Sequence, residues 1–147
     1  MAGQRAFFDR LRRDCTGSAL IEFAILCPSI VVMLLGVLQV GLAMQNYNAL
    51  RSVSADVARY AVVNYQTKVD PNSQTINNFA LSRATLAPYG LSPSRLNITL
   101  TDVTTTDMVG VKQKSMTMIY AIPSFMSIIG MDDIPITYTR QLYLVSN

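Results

Sequence analysis

The chain has 147 residues, half of them hydrophobic and 14% charged, with a net charge of +3 and no histidine. Arg5, Arg10, Arg12 and Arg13 stand against Asp9 and Asp14 in residues 1–17, so +2 of that charge lies in the leader and only +1 on the body. The body thus lacks the clustered basic surface that nucleic-acid binding needs, and the missing imidazole removes the commonest general base and metal ligand.

Residues 1–14 form a short basic amphipathic segment, with Phe7, Phe8 and Leu11 among the arginines. From Phe23 to Met44 there is no formal charge. About 20 apolar residues in a helix cross the ~30 Å hydrocarbon core, so this run predicts a transmembrane span. Four arginines before the span and only Arg51 and Arg59 soon after it predict a cytoplasmic N-terminus and an exported C-terminus. Glu22 sits at the lip of the run. A carboxylate in lipid costs about 2.5–3.5 kcal/mol or more unless it is paired or near the interface, so its presence points to a function. Cys15 precedes the span and Cys27 lies inside it, which leaves no disulfide framework in the exported part. Gly41-Leu42-Ala43 offers a small-x-small site for ordinary signal cleavage. However, the apolar run exceeds the usual ~7–15 residues of a signal peptide and starts with a carboxylate.

Gly17, four residues, then Glu22-Phe23 resembles the type IV prepilin processing site: glycine at the scissile bond, glutamate fifth in the mature chain, an aromatic next. Phe23 stands where the tight-adherence branch most often has tyrosine. Ala19-Leu20-Ile21-Glu22-Phe23-Ala24, Pro28, Gly36, Gly41, Tyr47-Asn48-Ala49-Leu50 and Ala58-Arg59-Tyr60-Ala61 together resemble the TadE-like pseudopilins of the Tad/Flp pilus system. Tyr120-x-x-Pro123 extends the resemblance more weakly. The resemblance implies processing between Gly17 and Ser18 by a prepilin peptidase. It also implies a role for Glu22 and Phe23 in subunit assembly, with Glu22 meeting the new α-amino group of a neighbouring subunit. The implied partners are the peptidase, other pilin and pseudopilin subunits, an inner-membrane assembly platform and membrane lipid. The related TadF type is an alternative within the same system. An uncleaved single-pass anchored domain, serving as receptor or secretion accessory, is the alternative from another class.

Beyond the span, Tyr47, Leu50, Val53 or Ser54, Val57, and Tyr60 or Ala61 recur at three and four residues, an amphipathic helical stripe. No proline or glycine interrupts residues 42–70. One helix over 19–65, roughly 70 Å long at 1.5 Å per residue, is therefore predicted. Asp70-Pro71-Asn72-Ser73 supplies turn and N-cap chemistry. Ile76, Phe79, Ala80, Ala84 and Ala87 predict a second helical face, ended by Pro88-Tyr89-Gly90. After Pro93 the period changes to two: Leu96, Ile98, Leu100; then Met116, Met118, Tyr120, Ile122 after a turn at 107–110; then Ile134, Ile136, Tyr138, Leu142, Leu144. Helices followed by strands predict an α+β fold, a long N-terminal helix on a small antiparallel sheet of three strands with a second short helix. The resemblance makes that plan pilin-like. The expected organisation is a leader over 1–17, a transmembrane helix over 18–44 and an extracytoplasmic domain over 45–147, with helix 45–65 continuous with the span. The apolar segment 123–131 either docks on a partner subunit or folds back over the sheet.

No phosphate-binding glycine loop is present, and two cysteines alone make no zinc site. Asp102, Asp107 and Asp132-Asp133 read as polar turn residues rather than a calcium cluster, and Met116 and Met118 as core rather than copper ligands. The sequence predicts no catalytic residue, cofactor or metal. The resemblance implies a non-enzymatic pilus subunit of the bacterial inner membrane.

Overall fold

The computed structural model describes residues 16–67, 71–103, 111–125, 127, 130 and 132–145. The basic leader segment, the turn at 107–110, residues 68–70 of the first loop, and Met126, Ile128, Ile129 and Met131 of the apolar segment lie outside them.

The elements are α1 (Thr16–Gln66), α2 (Ser73–Thr85), a 3-10 turn (Pro93–Arg95) and three strands, β1 (Leu96–Val103), β2 (Val111–Ile122) and β3 (Ile134–Val145). The fold is α+β, as the pattern predicts. Two compact units divide at Leu38 and Gln39.

The first unit is the start of α1. Most of its large apolar side chains are exposed, among them Leu20 at 74% and Leu38 at 50%. The helix includes Pro28, whose ring leaves one backbone carbonyl without its usual donor.

The second unit is built on the remainder of α1. Leu50, Val53, Val57 and Ala61 are fully buried, the three-and-four spacing of one helix face. Ser54 is also fully buried. Its hydroxyl donates to the Arg51 carbonyl at 2.7 Å, which lets a polar residue share the stripe. After Gln66 the helix closes with Thr67 N–H donating to Val63 O at 3.2 Å. Helix α2 starts where Asn72 Oδ1 accepts from Thr75 N–H at 2.7 Å, satisfying one of the orphan donors of a first turn. It buries Ile76, Ala80 and Ala84. Ala87, expected on this face, lies beyond the helix end, because Leu86 turns extended with ψ 162 shortly before Pro88.

The sheet order is β1-β2-β3, all antiparallel. One face buries Met116, Met118, Tyr120, Ile122, Leu142 and Leu144, which join the helix stripe, α2 and Leu91 in one core. Met118 pairs with Ile98 and Tyr138, and Tyr120 with Leu96 and Ile136, so the register brings the predicted apolar positions to one side. Burial is graded along β3: Leu142 and Leu144 are buried, whereas Ile134 remains 43% exposed. Tyr47 packs edge-on to Tyr138 with centroids 5.7 Å apart. Ile136 borders an apolar hollow of about 270 Å³ with Ala43, Met44, Tyr47 and Asn48.

Asp102 is not a turn residue. It lies in β1 opposite Lys114, whose Nζ is 2.6 Å from Asp102 Oδ1 and donates to Ser73 Oγ at 3.1 Å. Lys114 is almost buried, and these two partners satisfy an ammonium that would otherwise be costly there. The opposite sheet face is polar. Thr99, Thr117 and Thr139 form one cross-strand row, and Thr101, Ser115 and Gln141 the next.

Candidate processing and assembly site

Gly17, Ser18, Glu22 and Phe23 all lie in the opening turns of α1. A Cβ added at Gly17 would meet nothing within 4 Å, so packing within the chain does not require glycine here. Ser18 Oγ donates to Glu22 Oε1 at 3.0 Å, one helical turn on. Both are exposed, and Glu22 makes no ion pair among the described residues. Phe23 is 65% exposed. The four residues thus present a carboxylate, a hydroxyl and an aromatic ring on a helix that covers none of them. Among the described residues, α1 is the helix long and apolar enough to cross a membrane, with a best window of mean hydropathy 2.4 and none of that window buried. It is a candidate single-pass anchor.

Two polar constructions in the second unit escaped the sequence reading. Gln39, inside the apolar run, is only 6% exposed. Its amide donates from Nε2 to Pro123 O at 3.1 Å, and its Oε1 accepts from Phe125 N–H at 3.1 Å. One side chain thereby satisfies both a donor and an acceptor of the segment after β2. Ser124 N–H donates to Asp133 Oδ1 at 3.3 Å. The described part of the 123–131 segment is thus tied to its own domain.

The second construction joins α1 to the end of α2. Asp56 Oδ2 accepts from Arg83 Nε at 2.7 Å and from Tyr89 Oη at 3.1 Å, while Arg83 Cζ lies 5.5 Å from the Tyr89 ring centre. Tyr60 and Phe79 stack beside them at 3.9 Å and 8°. Asp56, Arg59, Tyr60, Val63, Asn64, Phe79 and Arg83 line an open groove of about 400 Å³. The Arg83 hydrogen bond holds the Asp56 carboxyl below its ordinary 3.8, against the opposing effect of burial. Burial, then the bond to Asp56, raises the Tyr89 hydroxyl above its ordinary 10.0. Asp56 stays charged and Tyr89 protonated, so the cluster is a clasp rather than a proton-transfer set.

Because the folded pKa of Asp56 is depressed, its contribution to stability is complete above the unfolded value and is lost as pH falls through the lower, folded one. Asp56→Asn is therefore expected to melt below wild type at neutral pH, with the two curves converging below pH 3.8. Thermal scans over a pH series check this. The gap will be small, since Arg83 and Asp56 keep 40% and 35% side-chain exposure and solvent screens such pairs.

Residues 17–59 match the family model described as TadE-like protein. No curated protein and no solved structure gives a significant match. The match begins on Gly17, includes Ser18, Glu22 and Phe23, and ends at Arg59 within α1, leaving α2 and the sheet outside it. Over residues 17–59 the chain is similar to the TadE-like proteins.

Proposed function

We propose that this chain is a minor pseudopilin of a Tad-type adherence pilus, made as an inner-membrane prepilin with a cytoplasmic N-terminus and a periplasmic C-terminus. A prepilin peptidase cuts between Gly17 and Ser18, and Glu22 then pairs with the α-amino group of a neighbouring subunit during assembly on the inner-membrane platform. The protein works by its contacts with other subunits and not as an enzyme.

The observation that carries this reading is the family match beginning on a glycine for which the fold has no internal use. A residue without a side chain admits close approach of another protein to the backbone. The uncovered apolar helix that follows supports the same reading, because it has to be covered by lipid or by other helices. The uncleaved anchor remains the second reading, and one contact favours it: Ser18 already gives Glu22 a hydrogen-bond partner within its own helix.

Intact mass and N-terminal sequencing of the protein recovered from membranes separate the two. A chain starting at Ser18 is expected. A start at Met44 would mean ordinary secretion after Ala43, and an uncut chain would mean a plain anchor; either result overturns the proposal.

A further inference from the structure

The outer face of the sheet carries no charge. Every position of β1, β2 and β3 that points away from the core, from Asn97 to Val145, is a hydroxyl, amide, aliphatic, proline or tyrosine residue. Ordinary protein surfaces hold roughly 25–35% charged residues of both signs, and exposed strands in particular use charges to keep other molecules away. The charges of this unit lie elsewhere: Lys112, Lys114, Asp102 and Arg140 occupy the core-facing set of strand positions, and Arg51, Asp56, Arg59 and Arg83 are on helices.

What the face presents is a lattice. Thr99, Thr117 and Thr139 lie side by side across three strands, with Thr101, Ser115 and Gln141 in the adjoining row; neighbouring strands repeat every ~4.7–4.9 Å. Thr117 and Thr139 share a hydrogen bond between hydroxyls at 3.3 Å. Gln141 Nε2 donates to Ser115 Oγ at 3.4 Å, and Gln113 Nε2 donates to Gln141 Oε1 at 3.3 Å. These bonds fix the side chains while leaving capacity outward, since each hydroxyl has one donor and two acceptor sites. Tyr143, on the same face, is 48% exposed and offers a ring with a polar tip.

We infer that this face binds an extended neutral polysaccharide. A nucleic acid or an anionic lipid surface requires cations that the face lacks. A protein partner, including a second copy of this chain, is favoured by an apolar centre rich in aromatic and methionine side chains, whereas the central rows here are threonine, serine and glutamine. A small sugar needs a concave pocket, and neither hollow described above is lined by this face. A neutral hydrogen bond exchanged with water gains little, so only a ligand that repeats its hydroxyls along many positions binds such a surface usefully. A polymer of uncharged sugars has that chemistry. The inference does not depend on cleavage after Gly17.

The test uses the full chain in a detergent without a sugar headgroup, incubated with microcrystalline cellulose and with chitin at low and high salt. Depletion from solution is expected on at least one of them, unchanged by salt. The double substitution Thr117→Lys, Thr139→Lys is expected to weaken it about tenfold or more, since two ammonium groups would have to be desolvated against the ligand. Tyr143→Ala, at a half-exposed position, should weaken it too, and circular dichroism will verify the sheet in both. Absence of binding to either polymer, or binding that both variants retain, would overturn the inference. So would binding confined to charged polysaccharides and abolished by salt. Self-association of wild type that the lysine variant loses would instead assign the face to a second copy.

Discussion

Glu22→Ala is expected to leave the protein in the membrane at normal or higher abundance while surface pili are lost. The two effects have opposite signs for one reason. A carboxylate at the edge of an apolar helix opposes insertion by about 2.5–3.5 kcal/mol if it enters lipid, so its removal eases insertion. Under the proposed function the same carboxylate meets an α-ammonium of a neighbour in a low-dielectric setting, and leaving one member of a buried pair alone costs about 3–5 kcal/mol. Assembly therefore bears the penalty. Glu22→Gln sharpens the test: it retains an acceptor for the Ser18 hydroxyl but carries no charge. If pairing between subunits is what matters, Gln fails as Ala does. Immunoblots of membranes together with electron microscopy of surface filaments give both readouts. Unchanged pili in the Ala strain would reduce Glu22 to a carboxylate on an ordinary anchor.

Leu50→Ala is expected to be the most damaging conservative truncation in the second unit. Leu50 is fully buried in the core shared by helix and sheet. Leu→Ala in such sites costs about 2–5 kcal/mol, from lost transfer energy plus the cavity left behind. A domain of this size has a total stability of only about 5–15 kcal/mol. At roughly 4–8 °C per kcal/mol for a small domain, the melting temperature should fall by about 10 °C or more. Ile119→Ala, at a position 39% exposed on the outer sheet face, is the control and should move it far less. Near-ultraviolet circular dichroism of the tyrosines follows the core, whereas far-ultraviolet signal also counts the apolar helix, which detergent keeps folded.

The parts of the fold legible in the sequence are those written in periodicity. Leu50, Val57 and Ala61 at helical spacing, and Met116, Met118, Tyr120 and Ile122 at alternate positions, are buried as read. The choice between Val53 and Ser54 had no single answer, because both fit the buried arc once Ser54 bonds to Arg51 O. The methionines that might have suggested a metal are fully enclosed core residues. Long-range polar pairing was not legible. Gln39 reads as one polar residue in an apolar run, and only the folded chain brings it to Pro123 and Phe125. Asp102 reads as a turn residue until the register sets it opposite Lys114. The Asp56–Arg83–Tyr89 clasp joins residues from α1, α2 and the turn after it, with no spacing to announce it. Gly17, Ser18, Glu22 and Phe23 are neighbours in sequence, and the fold keeps them together in the opening turns of α1.

The order of the strands also has a kinetic meaning. Each strand pairs with its neighbour in sequence, β1 with β2 and β2 with β3, so the sheet forms by closing short loops, which is fast. The helix stripe belongs to the same core as Leu142 and Leu144, close to the far end of the described chain. Helix and last strand are thus the most distant partners in synthesis. The apolar face of Leu50, Val53 and Val57 is made before α2 and the strands that share its core, and that core is complete only once β3 has joined it.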